Sequence, residues 1–259
     1  MEKDRLIEMI EDICPLDLAE SWDNCGFQVD CTQHGQEIHT VLVSLEITDA
    51  VIDEARKAGA NLILTHHPLI FGGIHSVCNR DVVGNYLIQL IQTGISVYSC
   101  HTNFDKVSGG NNDYLGALLE LKNIRSFDQD NGFCRKGETP FDVTLAEVIH
   151  KTAEALNMEE KYFRWVGDLA RPIETIGWCT GAGSEFLKEA REQCDLFITG
   201  DLKYHDAQMA SEMGLSVLDA GHYGSEKIFA ENMAGLLYDR CGGEGVTVIQ
   251  SQCDLNPFG

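Results

Sequence analysis

At 259 residues the chain has room for one large or two small domains, since a prior of about 150 residues per domain gives roughly 1.7. Its 44% hydrophobic and 23% charged residues, with only 5 Pro, are those of a folded globular chain and exclude disorder as the default. Nineteen Lys and Arg stand against 41 Asp and Glu, a formal charge of −22 that repels phosphate backbones and makes nucleic acid an unexpected partner.

Ten cysteines are present, but no two are spaced as CxxC, and at this length they do not form a secreted disulfide framework. The first residues, MEKDRLIEMIEDIC, mix acids through the apolar positions, unlike a signal peptide, and no run approaches the 18 apolar residues of a membrane span. The expectation is a reduced, cytoplasmic protein whose cysteines are mostly small buried hydrophobes.

In chain order, Leu6, Ile10 and Ile13 lie at helical spacing within residues 3–13, and Cys14-Pro15 ends that helix. Val41 to Ile47 reads as a buried strand. Thr48 caps a helix over Asp49 to Ala58, Gly59 stops it, and Asn61 to Thr65 is the next strand. A helix over Asp81 to Thr93 is stopped by Gly94, and Ile95 to Ser99 returns as a strand. The second half predicts helices near Leu145 to Leu156, from Ser184, near Lys203 to Met213 and from Ser225. Strands are predicted near Thr175 to Thr180, at Leu196 to Thr199 and at Leu215 to Leu218. Strands alternating with helices at this rhythm predict an α/β fold with mainly parallel strands.

A weak internal repeat divides the chain. Residues 61–65 (NLILT) resemble 195–199 (DLFIT), and 94–97 (GISV) resemble 214–217 (GLSV), in the same order. Two related α/β lobes are expected, although any two buried parallel strands look somewhat alike. The polar, aperiodic stretch 122–140 is the boundary candidate, giving an N-terminal lobe over 1–125 and a C-terminal lobe over 126–259 whose last segment can pack back on the first.

Histidines and carboxylates gather directly after predicted strands: His66 and His67, His101 and Asp105, Asp201 and His205, then Asp219, His222 and Glu226. In open parallel sheets the carboxyl ends of strands face a common crevice, so these residues are expected to converge there. Adjacent histidines point to opposite sides of an extended chain and can serve two neighbouring ions, while Asp105 and Glu226 can bridge. His222 and Glu226 are four apart and share a face if a helix begins near Tyr223; Asp201 and His205 repeat the spacing. A His and carboxylate set without Cys suits two ions of Zn, Mn, Fe or Co, as in bimetallic hydrolytic centres. Taken singly, each piece has a structural reading: hydrogen-bonded histidines, Asp105 as a turn residue, and His222 with Glu226 on a solvated helix face. Three strand ends with the same chemistry favour the metal.

Other signals are weaker. Gly181-Ala182-Gly183-Ser184 could cradle an anion, but Phe186 stands where the dinucleotide fingerprint needs its third Gly. Cys100 is a nucleophile or, more ordinarily, packing. Trp22-Asp23-Asn24 is a tight turn by composition or a wall of the crevice.

With these residues in view, the chain resembles the NGG-interacting-factor-three-like family, also labelled GTP cyclohydrolase I type 2 homologs. The matching stretches are Trp22-Asp23-Asn24 with Gly26, LILTHHPLIF (62–71), YSCHTNFD (98–105) running into Gly109-Gly110, GAGS (181–184), ITGDLKYHD (198–206) and AGHYGSE (220–226). The resemblance implies two interlocked α/β lobes with a dinuclear metal site in the crevice between them, and a homo-oligomer that is commonly a hexamer. It maps the metal ligands onto His66, His67, Asp105, His222 and Glu226. Asp30 and Glu46 depart from the family's usual Gly and Asp, at positions that are not ligands, and the large insertion of some members is missing.

Two functions follow as expectations. One is a metal-dependent hydrolase acting on a small, nucleotide-like substrate, with His101, Asp201 or His205 relaying protons. The alternative is a non-catalytic metal-binding, metal-delivery or scaffold protein. Neither a membrane nor a nucleic acid is an expected partner.

Overall fold

A computed structural model describes residues 1–32, 36–128 and 132–258. The chain divides into two compact units, one built from Met1–Val107 with Phe229–Gly259 and the other from Ser108–Ile228. The division falls at two points in the chain: the last segment belongs with the first unit, and residues 108–125 belong to the second.

The first unit runs α1 (Lys3–Ile13), β1 (Gly26–Val29), β2 (Thr40–Ser44), α2 (Asp49–Ala58), β3 (Leu62–Thr65), α3 (Val82–Thr93), β4 (Ser96–Ser99) and α4 (Thr102–Lys106). The second unit follows with α5 (Asn111–Leu118), β5 (Lys122–Ser126), β6 (Arg135–Thr144), α6 (Leu145–Ala155), β7 (Arg164–Val166), β8 (Pro172–Ala182), α7 (Leu187–Gln193), β9 (Leu196–Gly200), α8 (Tyr204–Met213), β10 (Ser216–Asp219) and α9 (His222–Glu226). The chain then returns to the first unit as α10 (Phe229–Cys241) and β11 (Thr247–Gln250).

Caps place the helices as expected. The Thr48 hydroxyl accepts from the Val51 amide and Gly59 ends α2 in the left-handed region; Asp81 accepts from Gly84 and Gly94 ends α3 the same way. Each cap offsets an otherwise unmade backbone hydrogen bond, typically about 1 kcal/mol.

The first sheet has the order β1-β4-β3-β2-β11, parallel throughout except for β1, which runs antiparallel to β4. Leu42, Ile63 and Val97 pack under α2 and α3 with Val51, Ile52, Leu87 and Leu90, while α10 lies against β2 and β11. The second sheet, β5-β6-β8-β9-β10-β7, is parallel only over β8-β9-β10 and antiparallel at both edges, so it is more mixed than its sequence rhythm indicates. Side chains alternate along its central strands: Trp178, Leu196, Ile198 and Leu218 enter one core with α6, and Cys179, Phe197 and Val217 enter another with α7 and α8. Burial on both faces is why these strands read as continuous apolar runs.

Three sequence expectations need correction. The stretch 122–140 is not the boundary between units, since β5 and β6 pair antiparallel there within the second unit; its residues 129–131 lie outside the described residues. Its aperiodicity reflects an edge pairing in which β5 is mostly exposed. The helix expected from Ser225 is two helices, α9 and α10, with Glu226 ending the first. Strands β1, β7 and β11 were not expected, being short and lying at sheet edges.

Candidate metal centre

In the first unit, Thr65 of β3 pairs with Ser99 of β4, so the residues that follow, His66 and His67 beside Cys100 and His101, leave the sheet together. The Thr65 and Ser99 hydroxyls lie 2.8 Å apart, and Thr65 donates to the His67 carbonyl at 3.0 Å. The Leu45 carbonyl accepts from both the His66 and His67 amides. The histidine pair is thus pinned through its backbone.

His66 is fully buried, and its Nδ1 lies 2.8 Å from the Cys100 carbonyl. A carbonyl can only accept, so Nδ1 carries a proton, and in the neutral ring Nε2 then bears the lone pair. That nitrogen faces the Asp105 Oδ1 at 3.5 Å. A lone pair and a carboxylate oxygen this close repel unless a proton or cation lies between them. Asp105 sits in α4, buried, rather than in a solvated turn.

His101 joins this set. The rings of His66, His67 and His101 have centroids 5.2 to 5.7 Å apart, and one ligand nitrogen from each comes within 4.8 Å of the other two. Its Nδ1 lies 2.9 Å from Asp23, whose carboxylate also accepts from the Thr102 amide and hydroxyl, at 3.1 and 2.5 Å, and from the Cys25 thiol at 3.2 Å. Burial pushes the Asp23 carboxyl up, but the hydrogen bonds from His101 and Thr102 outweigh it and hold the group well below the usual carboxylate range. Trp22 and Phe71, both exposed, stand edge-on to His101 with centroids at 6.3 Å. Glu46 lies 3.9 Å from His67 Nδ1.

In the second unit the donors are His222 and Glu226, on successive turns of α9, with His222 Nε2 3.0 Å from Glu226 Oε2. His222 Nδ1 lies 2.8 Å from Asp201 at the end of β9. Glu226 is 3% exposed, so this is no solvated helix face. Two glycines make room for it. A Cβ on Gly181, whose φ is +68°, would meet Glu226 Oε1 at 2.1 Å, and one on Gly200 would meet the His222 amide nitrogen at 2.6 Å.

The remaining candidates go elsewhere. His205 is exposed and meets the Tyr204 ring. Asp201 precedes α8, which begins at Tyr204, so the four-residue spacing of Asp201 and His205 places no helical pair. Asp219 is taken by Arg164, the Gly221 amide and the Leu202 amide. In the GAGS turn two of the amides are already taken: Gly181 donates to the Ser225 hydroxyl and Gly183 to the Thr199 hydroxyl. Burial pushes the Cys100 thiol well above its usual range, which is packing behaviour rather than that of a nucleophile. Asp23 is the residue that sequence reasoning underused; its signal was a lone Asp in a turn, indistinguishable by composition from an ordinary turn residue.

The histidine and carboxylate donors are of the kind that could hold a divalent cation. In His66 and His222 alike, Nδ1 meets a fixed oxygen acceptor and Nε2 faces a carboxylate, the arrangement by which outer hydrogen bonds orient imidazole ligands. No helix among the described residues is long and apolar enough to cross a membrane.

Comparison with known proteins places the chain in a family. A "GTP cyclohydrolase 1 type 2 homolog" from Clostridium perfringens is 38% identical over 232 residues, covering 87% of each chain. The "NGG1-interacting factor 3" of Saccharomyces cerevisiae is 31% identical, covering 98% of this chain and 96% of its own. The crystal structure of a Staphylococcus aureus protein superposes with a TM-score of 0.92 at 26% identity, covering 100% of this chain and 99% of that one. The signature of one family matches residues 1–257, and by that match the chain belongs to the Duf34/NIF3 (NGG1p interacting factor 3) family.

Proposed function

We propose that this protein is a metal-dependent hydrolase that binds two divalent ions, drawn from Zn, Mn, Fe and Co, through His66, His67, Asp105, His222 and Glu226, and acts on a small nucleotide-like substrate. The observation that carries it is the shared polarity of His66 and His222, whose Nδ1 atoms meet the Cys100 carbonyl and Asp201 while Nε2 of each faces a carboxylate, Asp105 and Glu226, the pairing of donors an ion would join. Burial of Asp105 and Glu226 supports it, because a carboxylate is removed from water at high cost unless a cation compensates. Divalent ions held there would supply Lewis acidity and an activated water. The chain's own residues do the holding: the Cys100 carbonyl and Asp201 fix ring orientation, and Gly181 leaves the space that Glu226 fills. The nucleotide-like substrate is taken from the relatives named for GTP cyclohydrolase.

Metal analysis of protein purified without added ions tests the ligand set. Asp105→Ala and Glu226→Ala are each expected to lower metal content, since loss of an anion leaves cations poorly neutralised; wild-type content in both would overturn it. The loaded protein is then offered a panel of nucleotides and phosphoesters. Turnover lost in Glu226→Ala with the fold intact supports the hydrolase, and no turnover across the panel with reversible metal exchange establishes the carrier reading instead.

A further inference from the structure

We propose that a cavity in the first unit, built from residues outside the donor set, seats a planar heterocycle that presents N–H donors along one edge, as a guanine base does. Phe71 stacks on the ring and Asp81 accepts from its edge. The nucleotide-like class of ligand rests on the reading above, and the seat itself does not depend on a bound ion.

The cavity lies in the stretch between β3 and α3 and holds about 290 Å³. Sites for drug-sized ligands run from roughly 300 to 1,000 Å³, so this one has room for a ring or two but not for a whole nucleotide. Ile70, Phe71, Ile74 and Val83 give it an apolar wall, and Ser76 and Asp81 add polar groups, the mix that small-molecule sites share. The wall is pinned through its backbone. The Ile70 amide donates to Gln28 Oε1 at 3.1 Å, and the Ile70 carbonyl accepts from Asn24 Nδ2 at 2.8 Å, with Gln28 itself buried. At the start of α3 the Asp81 amide donates to the Cys78 carbonyl, and a Cβ on Gly84 would meet that carbonyl oxygen at 2.6 Å, so the chain there is packed tightly on the helix.

Two side chains select the occupant. Phe71 is 67% exposed, yet its ring is braced edge-on by Trp22, with centroids at 6.0 Å, and by His101 at 6.3 Å. A held aromatic ring still open to solvent offers stacking area to a flat ring. Its contact with His101 sets a base seated here one side chain from the donor cluster. Asp81 caps α3 through Oδ2, which accepts from the Gly84 amide at 2.8 Å, while Oδ1 makes no hydrogen bond among the described residues. An ionised carboxylate only accepts, so the ring it receives must donate. Guanine presents two adjacent N–H donors on one edge, whereas adenine sets an acceptor beside its amino group.

The test uses the full chain, stripped of metal and titrated calorimetrically with guanosine and with adenosine. Guanosine is expected to bind roughly 10-fold or more tightly than adenosine, whose ring nitrogen leaves the carboxylate facing an acceptor. Phe71→Ala, at an exposed position that the fold does not need, is expected to weaken guanosine by roughly 5- to 150-fold, the range for stacking of one base. Asp81→Asn still caps the helix, because Asn and Asp cap about equally well, but it loses the edge that only accepts. Its preference for guanosine over adenosine is expected to fall towards parity while its zinc affinity matches wild type. Wild-type protein that binds neither nucleoside, or both alike, would overturn the seat and leave the ligand set to the metal analysis above. Guanosine affinity unchanged in Phe71→Ala, or preference unchanged in Asp81→Asn, would equally overturn it. Guanosine binding by a protein that takes up no zinc would overturn the metal centre and support the seat.

Discussion

At the residue scale, the direction of a single nitrogen carries much of the chemistry. His66, His101 and His222 all turn Nδ1 to an oxygen that accepts, and all present Nε2 away from it. Asp23 has a further consequence for stability. Its carboxyl is held well below the ordinary value near 3.9, so the folded state favours the ionised form. The stabilisation is fully present above about pH 4 and is lost as pH falls through the depressed folded value. Metal-free wild type is therefore expected to lose stability more steeply than Asp23→Asn between about pH 4 and pH 2, read as urea midpoints. Parallel slopes would show that Asp23 is not favoured as the anion in the folded chain.

At the scale of elements, the weak repeat in the sequence corresponds to a repeated unit of structure. The segments β3-α3-β4 and β9-α8-β10 are both parallel strand pairs joined by one helix, and the helices end at Gly94 and Gly214 with φ of 69° and 68°. Thr65 and Thr199 fall at corresponding strand ends, each just ahead of site residues, which is why the donors recur after similar sequences. Strand β8 supplies the other element on which the second donor set depends. Gly181→Ala is expected to cost roughly 1–2 kcal/mol for the left-handed backbone and to push the Glu226 carboxylate aside. Denaturant midpoints and zinc affinity should fall together. Unchanged affinity would mean that Glu226 does not need the space the glycine leaves.

For the whole molecule, the test is release of metal by acid. Imidazole ligates only when neutral, so protonation competes with the ion. Dialysis below about pH 6 is expected to strip the metal, with content measured after return to neutral buffer without added ions. Full retention at pH 5 would argue that carboxylates alone hold it.

The sequence by itself determined the α/β class, most helix boundaries and the chemistry at the strand ends. Those follow from local rules: Thr48, Asp81 and Gly94 act within a few residues of themselves, and buried parallel strands demand unbroken apolar runs. It also marked His66, His67, Asp105, His222 and Glu226. Tertiary structure alone decided that 122–140 contains a paired edge within the second unit rather than a boundary, that residues 108–125 belong to that unit, and that Asp23 grips His101 across 78 positions. Short edge strands carry little pattern of their own, and a hydrogen bond between distant residues leaves no trace in local spacing. Such a contact exists only once the sheet has brought the two turns together.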